Sequence, residues 1–339
     1  MDRKPAIISL KKYRLTKAER FILKSEKPWG VILFKRNIQS YEQVKNLTSE
    51  IRKCLKDPFY PILVDEEGGK VSRFSNLLNS KEFSQNFFGR LFEKDNKNAK
   101  VIYKYYLNSI CSVLKNVGIN INTIPVMDLL QDSTNEVIGN RSYSKNIKTI
   151  RSLGKICVLT LKNNKIASVI KHIPGHGCAN ADSHKKLPIV KNSLEKLYSK
   201  DFLAFKNLNS HFAMTAHVLY KKIDSQFVAT QSRKILKTII RKKLKFNGLI
   251  ISDDISMKAL NRHLVSNARI ALQAGCNLVL HCNGKINETS KLLKSLNKLE
   301  SGLKPCQLKG VIKTNFLIKF GFFLVILSET ALPIDQPTK

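Results

Sequence analysis

The feature that most constrains this chain of 339 residues is an alternation: short apolar runs recur between longer segments whose apolar residues are spaced three and four apart. The runs fall at 5–10, 31–34, 61–64, 119–126, 166–170, 212–216, 249–252 and 277–280. Between them lie helix signals. Thr16-x-x-Glu19 and Ser40-x-x-Gln43 read as capping boxes, the second followed by Val44, Leu47, Ile51 and Leu55. A helix over about 99–116 stops near Gly118, and further helices centre near residues 155, 202, 238, 268 and 292. Short runs that are apolar throughout are buried on both faces, as in parallel strands covered by helices. Eight of them predict a single-domain α/β fold, a (β/α)8 TIM-type barrel over residues 1–300. An open doubly wound sheet is the other arrangement of the same elements. No internal repeat and no linker rich in Pro, Gly or Ser divides the chain.

In a barrel of this kind every strand points its C-terminal end at one face, so reacting groups belong there. The richest candidate follows the run at 166–170. Lys171-His172-Ile173-Pro174-Gly175-His176-Gly177-Cys178-Ala179-Asn180-Ala181-Asp182-Ser183-His184 holds three of the seven histidines. Its Pro and Gly positions and its lack of helical period describe a long loop delivered by a strand. Asp182 and His184 are two residues apart, close enough for the carboxylate to set the tautomer and basicity of the imidazole. Other strand ends carry Asp65-Glu66-Glu67-Gly68-Gly69 with Arg73, then Ile138-Gly139-Asn140-Arg141-Ser142, His217, and Ser252-Asp253-Asp254-Ile255-Ser256-Met257. Taken singly, each has a plainer reading. An acidic run makes a solvated turn, Asp254 or Ser256 caps a helix, and a histidine ending a buried strand is hydrogen-bonded structure.

Taken together, the segments resemble glycoside hydrolase family 3, specifically its bacterial β-N-acetylhexosaminidases. Residues 171–184 are similar to the family's Lys-His-Phe-Pro-Gly-His-Gly…Asp-Ser-His signature, with Ile173 in place of Phe and Cys178 after the glycine. Residues 65–73 resemble Asp-x-Glu-Gly-Gly-x-Val-x-Arg, 138–143 resemble Ile-Gly-Asp-Arg-Ser-Phe, and 252–257 resemble Ser-Asp-Asp-x-Ser-Met. Asn140 stands where the family has Asp and removes a charge from that loop. The resemblance spans about residues 28–285. It implies that Asp65, Arg73, Arg141, Lys171 and His172 bind the terminal sugar, that Asp253 is the nucleophile, and that His184, backed by Asp182, is the acid and base. It implies a retaining exo-β-N-acetylglucosaminidase acting on peptidoglycan fragments, with no metal and no organic cofactor. The family's β-glucosidases take their acid/base carboxylate from an additional domain, for which this chain has no length. A phosphorylase using the same covalent step and a non-catalytic sugar-binding protein are the other classes open to such a site.

The formal net charge of +34 raises nucleic acid as a partner. The lysines are spread over nearly every segment, without aromatic-basic interleaving or a binding module, so the expected partner is a small carbohydrate or muropeptide and not nucleic acid. The seven cysteines are scattered without a Cys-x-x-Cys pair and read as reduced core residues of a cytoplasmic protein. No secretory leader is expected, and a monomer is. Residues 316–327 are apolar apart from Lys319, too short a run for a comfortable membrane span. The tail 301–339 departs from the family's more polar closing helix.

Overall fold

The computed structural model describes residues 3–131, 134–179, 181–183 and 185–299. Eight parallel strands close a barrel: β1 (Lys4–Ser9), β2 (Pro28–Leu33), β3 (Ile62–Val64), β4 (Ile121–Asn122), β5 (Ala167–Ile173), β6 (Phe212–Thr215), β7 (Leu249–Asp254) and β8 (Leu278–His281). Each pairs with its sequence neighbours, and β8 closes on β1 through Ala6↔Val279 and Ile7↔Leu280. Helices α1 (Lys17–Glu26), α2 (Tyr41–Leu55), α3 (Gln85–Lys94), α4 (Asn96–Asn116), α5 (Ile147–Asn163), α6 (Leu194–Ser199), α7 (Leu264–Ala274) and α8 (Ile286–Ser295) accompany the strands. The barrel expectation holds.

The strand period of two divides the buried side chains between two cores. Ile7, Trp29, Ile32, Leu63, Ile121, Val169, Phe212, Met214, Ile251, Leu278 and Leu280 fill the barrel interior, with contributions from every strand. Their neighbours in sequence, such as Ile8, Val31, Ile62, Ile170, Ala213, Ile250 and Val279, face the helices and form the larger core. No helix among the described residues is long and apolar enough to cross a membrane.

Local departures from the sequence reading have local causes. Strand β5 runs on through Lys171 and His172, because these polar side chains find buried partners at the barrel mouth. The run 119–126 shrinks to Ile121–Asn122, since Pro125 has no N–H to give the ladder, and Val126 returns only as an isolated bridge to Lys171. Thr16 and Glu19 form the full capping box, whereas the Gln43 side chain accepts from Gln39 N (2.8 Å), leaving only half a box at Ser40. The helix expected near 202 is split into α6 and a 3₁₀ turn at Phe202–Phe205, and the one near 238 is a π-helix, Ile235–Lys243. Helix α3 was not expected. Asp254 caps a turn at Ser256, not a helix, since α7 begins only at Leu264. The tail 301–339 and His184 lie outside the described residues.

Phe212 packs edge-on against Trp29 inside the barrel, ring centroids 5.6 Å apart. Phe212→Ala is expected to lower unfolding free energy by about 3–5 kcal/mol in a urea titration. A loss under about 1 kcal/mol would mean that these side chains do not carry the interior packing.

Candidate active site

The site is built on the loop that follows β3. Asn122 of β4 braces its first turn, donating to Glu66 O (3.0 Å) and accepting from Glu66 N (3.0 Å). The buried Glu66 carboxylate accepts from Arg73 N (2.8 Å), Phe74 N (3.0 Å) and Ser80 Oγ (3.0 Å). The acidic run is therefore no solvated turn; Glu66 folds the loop back on itself. Gly68, with φ of +80°, is required there: a Cβ would lie 2.2 Å from the Phe83 carbonyl oxygen. The fold-back returns Arg73 to Asp65, Nη2 to Oδ2 at 3.0 Å.

Strand β5 and the 3₁₀ turn Gly139–Arg141 complete a charge cluster. Arg141 donates through Nε and Nη2 to the two oxygens of Glu67, at 2.8 and 2.9 Å, a bidentate pair. The buried Lys171 ammonium reaches Glu67 Oε1 at 2.6 Å, Thr123 Oγ1 at 2.9 Å and Asp65 Oδ1 at 3.2 Å. Thr123 also donates to Asp65. Burial pushes both carboxyl groups upward, but the cations outweigh it. Asp65 is held well below the usual carboxylate range and Glu67 at about 2. The same logic raises Arg141, whose burial is outweighed by Glu67. Two carboxylates here face three cations. Such a cluster offers Asp65 as an acceptor and Arg73, Arg141 and Lys171 as donors, the set that adjacent sugar hydroxyls require.

His172 sits beside this cluster. Its Nδ1 is 2.6 Å from Asp128 Oδ2; the carboxylate can only accept, so Nδ1 bears the proton and Nε2 faces Arg141 Nη2 at 3.5 Å. Asp128, fully buried, also accepts from His176 N at 2.7 Å. The His176 ring is buried with Nδ1 unpaired among the described residues, and burial, only partly offset by Asp128, lowers its pKa to about 4.

Across the barrel, β7 ends in Asp253 and Asp254, four places round the ring from β3. Asp253 Oδ1 accepts from Asp254 N (2.8 Å) at the C-terminal end of the strand. Asp254 holds the turn beyond, accepting from Ser256 N (3.1 Å), Ser256 Oγ (2.8 Å) and Cys282 N (3.3 Å). His217 Nε2 donates to Asp254 O (3.0 Å) while Nδ1 meets Thr230 Oγ1 (2.7 Å). His217 is thus a clamp on the strand end, as the plainer reading had it.

The loop after β5 is anchored at several points. Tyr220 donates its hydroxyl proton to Gly175 O, Thr134 Oγ1 donates to Gly177 O (2.7 Å), and Cys178 Sγ donates to Asp201 Oδ2 (2.9 Å). The Asp182 carbonyl accepts from Lys185 N and Lys186 N, both at 3.0 Å. Ser183 O accepts from Ala259 N at 3.1 Å, docking the Asp182-Ser183 segment on the chain that leaves Asp253.

Asp65, Arg73, Arg141, Lys171 and His172 thus meet in one cluster, and Asp253 ends a strand that opens at the same end of the barrel. Sequence reasoning missed Glu67, Thr123, Asp128 and Cys282 as members. Glu67 and Asp128 were visible as carboxylates at strand ends; Thr123 and Cys282 gave no such signal. Burial first, then the charges of Asp254, Asp65 and Asp253, push the Cys282 thiol well above its ordinary value. Its backbone ties the end of β8 to two neighbours, Cys282 N donating to Asp254 Oδ1 (3.3 Å) and Cys282 O accepting from Arg36 Nη2 (2.6 Å). Among the described residues no three His, Cys, Asp or Glu side chains converge on a metal position.

Comparison with known proteins agrees with this geometry. The profile of the Glycosyl hydrolase family 3 N terminal domain matches residues 2–307. A protein of Neisseria gonorrhoeae named Beta-hexosaminidase is 35% identical over 289 residues, 84% of this chain and 79% of its own length. The Beta-hexosaminidase of Psychromonas ingrahamii is 35% identical over 297 residues, 85% of this chain and 86% of its own. Among solved structures, NagZ from Neisseria gonorrhoeae in complex with zinc ion superposes with a TM-score of 0.82 at 30% identity, covering 92% of this chain and 90% of that one. The same enzyme in complex with N-trifluoroacetyl-D-glucosamine gives a TM-score of 0.77, covering 92% and 99%. With the barrel, the paired charge cluster at its mouth and a match over most of its length, this chain belongs to glycoside hydrolase family 3 and is a glycoside hydrolase.

Proposed function

We propose that the protein is a retaining exo-β-N-acetylglucosaminidase that removes terminal β-linked N-acetylglucosamine from peptidoglycan fragments in the cytoplasm. The observation that carries this reading is the hydrogen bond from Ala259 N to Ser183 O, 3.1 Å, which sets the Asp182-Ser183 pair beside the chain leaving Asp253. A nucleophile and a proton carrier have to flank the same glycosidic bond. The names of the relatives, and the amide-bearing sugar bound to the Neisseria NagZ, support a 2-acetamido sugar as the group transferred.

The charge cluster at β3 and β5 holds the terminal sugar through its hydroxyls, and Asp253 meets its anomeric carbon. Attack by the Asp253 carboxylate breaks the glycosidic bond while His184 gives its proton to the leaving oxygen. Water then attacks the glycosyl-Asp253 ester, His184 takes the water's proton, and Asp253 leaves as carboxylate. Asp182 keeps the imidazole oriented. A histidine in place of the usual second carboxylate also leaves phosphate a tolerable acceptor, so product analysis with and without phosphate distinguishes sugar release from sugar-1-phosphate.

Asp253→Asn is expected to abolish turnover and to abolish labelling by a 2-fluoro or 5-fluoro glycosyl substrate, with the wild-type adduct mapped to Asp253 by mass spectrometry. An adduct on another residue overturns the assignment.

General acid assistance matters most for poor leaving groups. His184→Ala should slow glycosylation by a natural sugar leaving group by about 10²- to 10⁴-fold, and by an activated aryl leaving group much less. With the activated substrate the variant should show a burst, then a slow rate that azide relieves. Equal losses on both substrates, with neither burst nor rescue, would assign His184 to holding the loop and pass the acid/base role to His176.

A further inference from the structure

A cavity of about 410 Å³ opens behind the sugar-binding cluster, lined by Lys35 at the end of β2, Lys70, Ser72, Arg73 and Lys81 of the loop after β3, and Asn140. Four of these side chains are cationic and no acidic side chain lines the cavity. None of the three lysines makes an ion pair among the described residues, in contrast to Lys171, which is fully paired. Two buried polar atoms at its edge are left over: Arg73 Nε, a donor, and Asn140 Oδ1, an acceptor, neither with a partner among the described residues. Arg73 already spends Nη2 on Asp65 and lays its guanidinium over Phe34, 5.0 Å from the ring centroid, so it is held in place with its Nε–H unspent. Asn140 contributes an uncharged amide where a carboxylate would have cancelled part of the field.

The place of this cavity in the ring sets what it faces. Resting on the reading of Asp253 as nucleophile, the anomeric carbon lies at β7, and the aglycone departs beside the loop after β5. The far end of the same sugar, with O4 and O6, lies at β3, opposite β7 in the ring. The lysine-lined cavity lies beyond that far end, away from the bond that breaks. It cannot serve an acceptor phosphate at the anomeric carbon, nor an acidic peptide on the aglycone.

We propose that this cavity is an anion subsite at the non-reducing end, and that it takes a phosphoryl group carried on O6 of the terminal N-acetylhexosamine. C6 is the one arm that projects beyond the ring on this side. A phosphate dianion supplies oxygens for the unspent Arg73 N–H and for ammonium groups that no carboxylate neutralises.

Isothermal titration of the full-length protein with N-acetylglucosamine, its 6-phosphate and inorganic phosphate tests this. The 6-phosphate should bind about tenfold tighter than the neutral sugar, and the advantage should shrink as salt is raised. Combining Lys35→Gln, Lys70→Gln and Lys81→Gln should erase the advantage and leave neutral-sugar affinity unchanged. A 6-phosphate that binds no tighter than the sugar, or an advantage that survives the triple substitution, overturns the proposal. So does inorganic phosphate bound at the lysines without any gain for the phosphorylated sugar, which would make the cavity a site for a free anion. Turnover of an unphosphorylated aryl N-acetyl-β-glucosaminide, measured in parallel, reports on the hydrolase reading alone: its absence would remove that reading while leaving the binding comparison to stand or fall by itself.

Discussion

A carboxylate with 1% of its side chain exposed, Glu67, is tolerable only because Arg141 and Lys171 close on it from two elements. Removing one partner of such a buried set strands the others, at a cost of about 3–5 kcal/mol, so the three residues stand together. Much of the barrel mouth depends on that arrangement. It fixes the 3₁₀ turn bearing Arg141 against the loop after β3, and it draws β5 on past its apolar run to deliver Lys171 and His172. Thr123 and Asp65 are tied into it through the same ammonium.

On the proposed reading the cluster is also preorganised for its sugar. With Asp65 and Glu67 held ionised by their cations, no proton has to move for the sugar hydroxyls to find donors and acceptors. On the proposed mechanism the groups that exchange protons belong elsewhere, on the loop after β5, which is anchored at Gly175, Gly177 and Cys178 and docks Ser183 on the chain beyond Asp253. That mechanism divides binding and proton transfer between different elements of the ring, while His217 and Asp254 fix the end of β7.

The ring was legible in the sequence because strands buried on both faces leave unbroken apolar runs, and the loops because Gly and Pro punctuate them. The polar strand ends misled where pairing overrode pattern. Lys171 and His172 looked like the start of a loop, yet partners from the ends of β3 and β4 keep them in the ladder. Glu66 and Glu67 looked like a solvated turn, since nothing local tells an acidic run that Ser80 and Arg141 will meet it from far along the chain. Cys282 resembled any core thiol until closure of β8 on β1 set it at the barrel mouth, hydrogen-bonded to Asp254 and Arg36. Asp253, Arg141 and the 171–184 loop were found through their resemblance to a family pattern; residue spacing by itself left each with a structural reading.

The central claim is that Asp253 and the 182–184 segment carry out two successive displacements at one anomeric carbon. The most direct measurement is the configuration of the first-formed sugar, followed by proton NMR as an aryl N-acetyl-β-glucosaminide is hydrolysed, before mutarotation mixes the anomers. The account predicts that the β-anomer appears first and the α-anomer grows only with mutarotation; an initial α-anomer would mean a single displacement by water and would contradict it.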